Sequence, residues 1–118
     1  MNLAGNGKKL KVIVDYKDIL YERPLYEALL MAAKKYRIAG TTIYKGVMSY
    51  GADSLINNVK VFHTSGHTPV VIEMIDKEER INDFADIVSR LLKKADAGGL
   101  VYIEDVNIIL YNHSQITF

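Results

Sequence analysis

Cysteine is absent from this 118-residue chain, and the absence removes several classes of protein from consideration. Without thiols there is no disulfide framework, no thiolate metal site, no iron–sulfur cluster and no cysteine nucleophile. A strong excess of one charge is also absent, because 15 Lys and Arg residues oppose 14 Asp and Glu residues. Proteins that bind duplex nucleic acid need a basic surplus to neutralise its phosphates, so the composition argues against a nucleic-acid partner.

Long apolar runs are missing as well. The longest uninterrupted run spans residues 28–33, whereas a membrane-spanning helix needs roughly 20 apolar residues. Residues 1–9 contain no apolar segment behind a basic one, so they lack the pattern of a secretory signal peptide. We therefore expect residues 1–8 to form a flexible lead-in and the protein to be cytoplasmic.

The residues that are present have the proportions of a globular protein. Hydrophobic residues make up 49% of the chain and charged residues 25%, which is ordinary for a folded domain. The length suits one hydrophobic core rather than two. We expect residues 1–118 to form a single domain.

Periodicity predicts a strand, a helix and a second strand in the N-terminal half. Apolar and polar residues alternate over residues 9–15, which indicates a half-buried strand. After a polar connection, Pro24 suits the first turn of a helix, and Gly40 is placed to cap its C-terminus. Residues 41–50 are rich in β-branched and aromatic residues and predict a strand that is interrupted at Gly46 by a bulge or a close backbone contact.

The C-terminal half is predicted to repeat the pattern after a long loop. Residues 51–69 show no period, and a loop of this length in a compact domain is usually functional or disordered. An apolar run then predicts a strand over residues 70–75, followed by a helix with Asp76 as N-cap and Glu79 completing a capping box. Gly98-Gly99 ends that helix, and residues 100–111 supply a fourth strand with a continuation or a fifth.

The predicted element order is therefore βαββαβ. Right-handed crossovers put both helices on one face of an antiparallel sheet, which defines a ferredoxin-like α+β sandwich. On the second strand Tyr44 and Tyr50 lie on one side while Ile43 and Val47 lie on the other. Both faces of the sheet are therefore expected to be partly apolar, and an exposed apolar face predicts self-association.

Four sequence blocks occur in a fixed order over nearly the whole chain. They are RPLYEAL at residues 23–29, AGTTIYKGVMSYG at 39–51, PVVIEMIDKEERI at 69–81 and GLVYIEDV at 99–106. In these blocks the chain resembles the PII-like domain-of-unknown-function family 190. The resemblance implies a ferredoxin-like protomer, a homotrimer, small-molecule sensing in clefts between subunits and no enzyme activity.

The resemblance also implies roles for two segments. In PII signalling proteins the loop between the second and third strands is the effector loop, and residues 51–69 occupy that place. A glycine-bearing turn before the last core strand helps to hold nucleotide phosphates, and Gly98-Gly99 occupies that place. Two departures are Ser49, where the family often has glycine, and the lack of a lysine within the Gly98-Gly99 turn. Lys93 and Lys94 lie one turn earlier and are candidates to substitute for that charge. Some relatives are encoded beside or fused to fluoride-exporter-type channels, which implies a membrane transporter as partner.

These considerations select a set of candidate ligand-binding residues. Gly98-Gly99 either cradles a phosphate with its backbone N–H groups or only caps the preceding helix. Tyr44 and Tyr50 either stack a base or pack an oligomer face. The candidate ligand-binding residues are Gly46, Tyr50, Gly51, Gly98 and Gly99. No cofactor is expected to be required, and the nucleotide acts as an effector.

Other chemistry has less support in the sequence. His63 and His67 are four residues apart, but Gly66 breaks the helix that would place both imidazoles on one face, so no metal site is assigned. Glu104 and Asp105 are neighbours on a strand and point to opposite faces, so they form no catalytic dyad.

The predicted function is a PII-like regulatory protein that binds a small anionic ligand, a nucleotide, and acts on a partner. The alternatives are a trimer that responds to a divalent metal through these histidines and an adaptor without a ligand.

Overall fold

The structure, a computed structural model, describes residues 3–46 and 68–114. Its elements follow one another as β1 (Gly5–Asp15), β2 (Ile19–Leu20), β3 (Arg23–Pro24), α1 (Leu25–Tyr36), β4 (Gly40–Lys45), β5 (Pro69–Asp76), α2 (Glu78–Lys94) and β6 (Leu100–Ile108). The long strands form an antiparallel sheet in the order β4-β5-β1-β6. This is the strand order of the predicted ferredoxin-like α+β fold, which is confirmed.

The alternation in β1 explains which face of the sheet the helices cover. Leu10, Val12 and Val14 are buried, and their partners on β5 are the buried residues Met74, Ile72 and Val70. The helices contribute the other half of the core through residues at helical spacing, because such residues form one apolar stripe. This half consists of Leu25, Leu29 and Ala33 from α1 and Ile81, Phe84, Val88 and Leu92 from α2.

The helix C-termini differ from the prediction. Arg37 takes the left-handed conformation with φ 64° after α1, and Asp96 does so with φ 51° after α2. At each end two backbone N–H groups bond back to the last turn. After α1, Arg37 N bonds to Lys34 O at 3.1 Å and Ile38 N to Ala33 O at 3.0 Å; after α2, Asp96 N bonds to Lys93 O and Ala97 N to Leu92 O, both at 3.1 Å. These are Schellman-type ends. The predicted caps, Gly40 and Gly98-Gly99, are wrong, since Gly40 begins β4 and the glycine pair follows the cap.

Asp76 has a different role from the predicted N-cap. It ends β5, and Lys77 is the N-cap of α2 without a side-chain capping bond, so the capping box with Glu79 is also wrong. The Asp76 carboxylate is 0% exposed. It accepts hydrogen bonds from Ala39 N at 3.0 Å, Lys77 N at 2.7 Å and Arg80 Nε at 2.9 Å. Asp76 therefore joins the start of β4 to the start of α2.

Three further differences concern element boundaries. β1 begins at Gly5 and Leu3 is buried, so residues 5–8 belong to a strand rather than to a flexible lead-in. The connection over residues 16–23 contains the short β2–β3 hairpin, whose turn residues Tyr21 and Glu22 have φ 53° and 63°. Positive φ at both central residues is the requirement of a type I′ turn, although glycine or asparagine usually meets it. At the other end of the chain, β6 is one continuous strand.

Candidate functional site

The candidate glycines lie at one end of the sheet. β1 and β4 finish there at Asp15 and Lys45, whereas β5 and β6 begin there at Pro69 and Leu100. We call this the loop end, because residues 47–67 connect β4 to β5 at it. A hydrogen bond from Gly46 N to Pro69 O at 2.8 Å extends the β4–β5 pairing by one step. All four strands of the main sheet therefore begin or end at the loop end.

Gly46 is required by a close approach between β4 and β5. A Cβ atom on this residue would lie 2.6 Å from Cγ of Pro69, which is itself buried. This agrees with the close backbone contact predicted for Gly46. Its N–H is already bonded to Pro69 O, so the glycine gives the β4 edge its shape rather than a free donor.

Gly98-Gly99 lies at the same end of the sheet but next to β6, at the edge opposite to β4. A Cβ on Gly99 would lie 2.8 Å from the carbonyl oxygen of Ile13, 3.2 Å from Leu92 Cδ2 and 3.3 Å from Val14 Cγ1. Gly99 thus allows the chain entering β6 to pass close to β1. Both glycines remain exposed to solvent, and a glycine has no side chain of its own to keep an anion from its backbone.

The two glycine sites are far apart within one protomer. Gly46 follows the edge strand β4, Gly99 precedes the opposite edge strand β6, and β5 and β1 lie between them. Strands are spaced by about 4.8 Å, so three spacings separate the two edges by roughly 14 Å. Within residues 3–46 and 68–114, one protomer therefore carries two separate candidate half-sites at the loop end.

A cluster that the sequence did not reveal lies at the β4 half-site. The rings of Tyr16 and Tyr26 stack with their centroids 5.4 Å apart and 15° between their planes. Lys45 Nζ lies 3.8 Å from the centroid of the Tyr16 ring. The pKa of the Tyr26 hydroxyl is raised, first by a hydrogen bond with Tyr16 and then by burial. We call Tyr16, Tyr26 and Lys45 the lysine–tyrosine stack.

Tyr44 lies on the face of the sheet opposite to α1 and α2, which we call the open face. Its hydroxyl donates a hydrogen bond to Glu73 Oε2 at 2.9 Å, and Lys11 Nζ lies 3.5 Å from the same oxygen. These contacts lower the pKa of the Glu73 carboxyl, with the Tyr44 hydrogen bond as the largest cause. A charged cluster therefore occupies the middle of this face, while Ile13 pairs with Val71 and Leu100 towards the loop end.

Some predicted site residues lie outside the described part of the chain. They are Tyr50 and Gly51 of the ligand set and His63 and His67 of the metal alternative. Among residues 3–46 and 68–114 no group of three or more His, Asp or Glu side chains is placed to hold a metal ion. The described histidine, His113, packs edge-on against the ring of Tyr111.

Two further features bear on the choice of site. A cavity of about 260 Å³ lies at the opposite end of the sheet, lined by Leu3, Ala4, Asn6 and residues 77–79. Lys77, Glu78 and Glu79 line it, so its side chains carry one more negative than positive charge. Neither α1 nor α2 is long and apolar enough to cross a membrane. The loop end is the place where the candidate glycines and the exposed Lys45 occur together.

Comparison with solved structures relates the fold to PII-like proteins. The structure is similar to a protein from Thermus thermophilus described as PII-like signaling, with a TM-score of 0.58 and 16% identity over 92% of this chain and 94% of that chain. It is also similar to CPII, a nitrogen regulatory PII-like protein from Thiomonas intermedia K12 bound to ADP, AMP and bicarbonate, with a TM-score of 0.60 and 15% identity over 86% of each chain. The protein therefore has a PII-like fold.

Sequence comparison identifies the family. The family model DUF190, described as "Uncharacterized ACR, COG1993", matches residues 7–108. The chain is also 35% identical over 103 residues to a UPF0166 protein of Aquifex aeolicus (strain VF5), covering 86% of this chain and 93% of that protein. The protein belongs to the DUF190 family, as the four sequence blocks predict.

Proposed function

We propose that this protein is a PII-like regulatory protein that binds a nucleotide in clefts between the subunits of a homotrimer. The observation that carries the proposal is the position of the half-sites, at the same end of the sheet but on opposite edges. In a closed ring of identical subunits, every interface joins one surface of a protomer to a different surface of the next protomer. In the proposed trimer these surfaces are the β4 edge of one protomer and the β6 edge of the next, and the half-sites complete one cleft.

The chemistry of the half-sites supports a phosphate-bearing ligand. Gly98 and Gly99 are exposed, and exposed glycines let a phosphate approach backbone N–H groups closely. The similar protein CPII is bound to ADP and AMP, and a nucleotide is long enough to span half-sites from two subunits. A role as effector follows if the ligand favours one conformation of the protein over another, and regulation of a partner then needs no catalysis.

The partner belongs to the same proposal. A regulator of this class acts by presenting a ligand-dependent surface, and a membrane transporter is the partner that the family resemblance implies. The cytoplasmic location expected from the sequence stays a prediction. The metal-responsive alternative depends on His63 and His67, which lie outside the described residues.

Nucleotide binding is expected to stabilise the protein strongly. A ligand at 100 times its Kd adds about 2.7 kcal/mol to the free energy of unfolding, and at roughly 3–6 °C per kcal/mol this raises the Tm of such a domain by about 8–16 °C. The measurement is a thermal-shift series with ATP, ADP and AMP, with binding then confirmed by calorimetry. Light scattering should give the mass of a trimer, three times 13.3 kDa.

Gly98→Asp provides the test of position, because it places a carboxylate where the phosphate would lie. We expect this variant to keep the Tm of the unliganded protein and to lose the nucleotide-dependent shift. Asn82→Asp is the control, since it adds the same charge at an exposed position in the second turn of α2, towards the opposite end of the sheet. A flat response of the unmodified protein to all three nucleotides, or a monomer in light scattering, would contradict the proposal.

A further inference from the structure

The ammonium group of Lys45 contacts an aromatic ring, whereas those of Lys9 and Lys11 on the same sheet lie near carboxylates. Lys9 and Lys11 lie 3.5–4.0 Å from carboxylate oxygens of Glu73 or Glu104. Lys45 instead lies over the ring of Tyr16 at 3.8 Å. Within residues 3–46 and 68–114 no carboxylate lies within ion-pair distance of its ammonium group.

The lysine–tyrosine stack restricts where this ammonium group can go. Tyr16 follows the end of β1, and Tyr26 lies in the first turn of α1, so the two rings are anchored by different elements. Cation–π attraction draws a lysine ammonium group towards the face of a tyrosine ring without neutralising its charge. Lys45 is exposed, so the stack presents a positioned and accessible positive charge to solvent.

Lys45 is placed to add a positive charge that the Gly98-Gly99 turn does not contain. The Gly98-Gly99 turn contains no cation of its own. The nearest lysines before it are Lys93 and Lys94 in the last turn of α2, and Lys94 lies 5.5 Å from the centroid of the Tyr21 ring, on the same side of the cleft as the turn. Lys45 is the last residue of β4 and directly precedes Gly46, so it lies on the half-site that a ring of subunits brings opposite that turn. A compact ammonium group is well suited to bind phosphate oxygens as a point charge.

We propose that Lys45 binds the phosphate groups of the nucleotide across the subunit interface and that Tyr16 is the positioning residue that holds its ammonium group. This inference rests on the proposed function, and it assigns the missing charge to the neighbouring subunit. It also explains why a turn without lysine can serve a phosphate ligand. The ligand class is then a nucleoside phosphate rather than a nucleoside.

The test compares ATP with adenosine in Lys45→Gln by calorimetry, with adenosine measured by competition where its binding is weak. We expect ATP to bind at least about tenfold more weakly, the effect of losing one charge-assisted contact, while adenosine binds as before. The affinity for ATP should also become less dependent on salt, because an ionic contact has been removed. Lys45→Arg should retain most of the affinity, and Tyr16→Leu should lose part of it.

Lys35→Gln is the matched control, because Lys35 is an exposed lysine in the last turn of α1 at the opposite end of the sheet. It should bind ATP like the unmodified protein. If Lys45→Gln binds ATP normally, the inference is overturned while the proposed function stands. If Lys45→Gln weakens ATP and adenosine equally, the lysine does not contact phosphate and the inference is again overturned. If the unmodified protein binds no nucleotide, the proposed function fails and the inference fails with it.

Discussion

Arg80→Met is expected to lower the free energy of unfolding by about 3 kcal/mol, the lower end of the cost of removing one partner from a buried ion pair, because Asp76 is fully buried while the Arg80 side chain is 31% exposed. Arg80 Nε donates to the Asp76 carboxylate at 2.9 Å, and that carboxylate is 0% exposed. Arg80 also donates from Nη2 to the carbonyl oxygens of Tyr36 and Arg37, at 2.8 and 2.9 Å. The variant leaves a buried carboxylate without its countercharge and two carbonyl groups without their donor.

Urea denaturation at neutral pH measures this effect. Arg90→Met is the control, because Arg90 is an exposed arginine on the same helix, and substitutions at such positions usually change stability by less than about 0.5 kcal/mol. A loss below about 1 kcal/mol in Arg80→Met would show that water replaces the guanidinium group at little cost. The ion pair would then contribute little to stability, and Asp76 would join β4 to α2 through its hydrogen bonds from Ala39 N and Lys77 N alone.

Gly99→Ala is expected to cost about 3 kcal/mol, the upper end of the usual range for overpacking. The new Cβ would meet a backbone oxygen at 2.8 Å, that of Ile13 on the central strand β1. A strand hydrogen-bonded on both sides moves less easily than the end of a flexible side chain. The start of β6 must therefore shift, and the Gly98-Gly99 half-site shifts with it.

Gly40→Ala separates this packing effect from the general effect of replacing a glycine. A Cβ on Gly40 meets nothing within 4 Å, and Gly40 also lies in the main sheet. We expect its free energy of unfolding to change by less than about 0.5 kcal/mol. Equal losses in both variants would mean that close packing against β1 is not the reason for glycine at position 99.

The fold was predictable because its main elements carry strong periodic patterns. The alternation in β1 and the apolar stripe of α2 reflect burial on one face, and burial is what periodicity reports. The helix ends were not predictable in the same way. Arg37 and Asp96 take the left-handed conformation that favours glycine, and the glycines nearby drew the prediction to later residues. The β2–β3 hairpin was missed because Tyr21-Glu22 is not a typical turn pair for positive φ.

The candidate site was predicted in part. The interruption of the second strand drew attention to Gly46, the resemblance selected Gly98-Gly99, and the structure places these residues at the same end of the sheet. The lysine–tyrosine stack could not be found from the sequence, because its three residues come from the end of β1, the start of α1 and the end of β4. Contacts of this kind depend on the tertiary fold and leave no local pattern.

The measurement that tests the central claim most directly is a mixing experiment with two binding-deficient variants. Lys45→Glu reverses the charge of the β4 half-site, and Gly98→Asp blocks the β6 half-site, so neither variant alone should bind ATP. If the cleft lies between subunits, random mixed oligomers contain unmodified halves of both kinds in about a quarter of their clefts. Calorimetry of the refolded mixture should then recover ATP binding of normal affinity at that reduced stoichiometry. A mixture that binds no more ATP than the two separate variants would contradict a binding site shared between subunits.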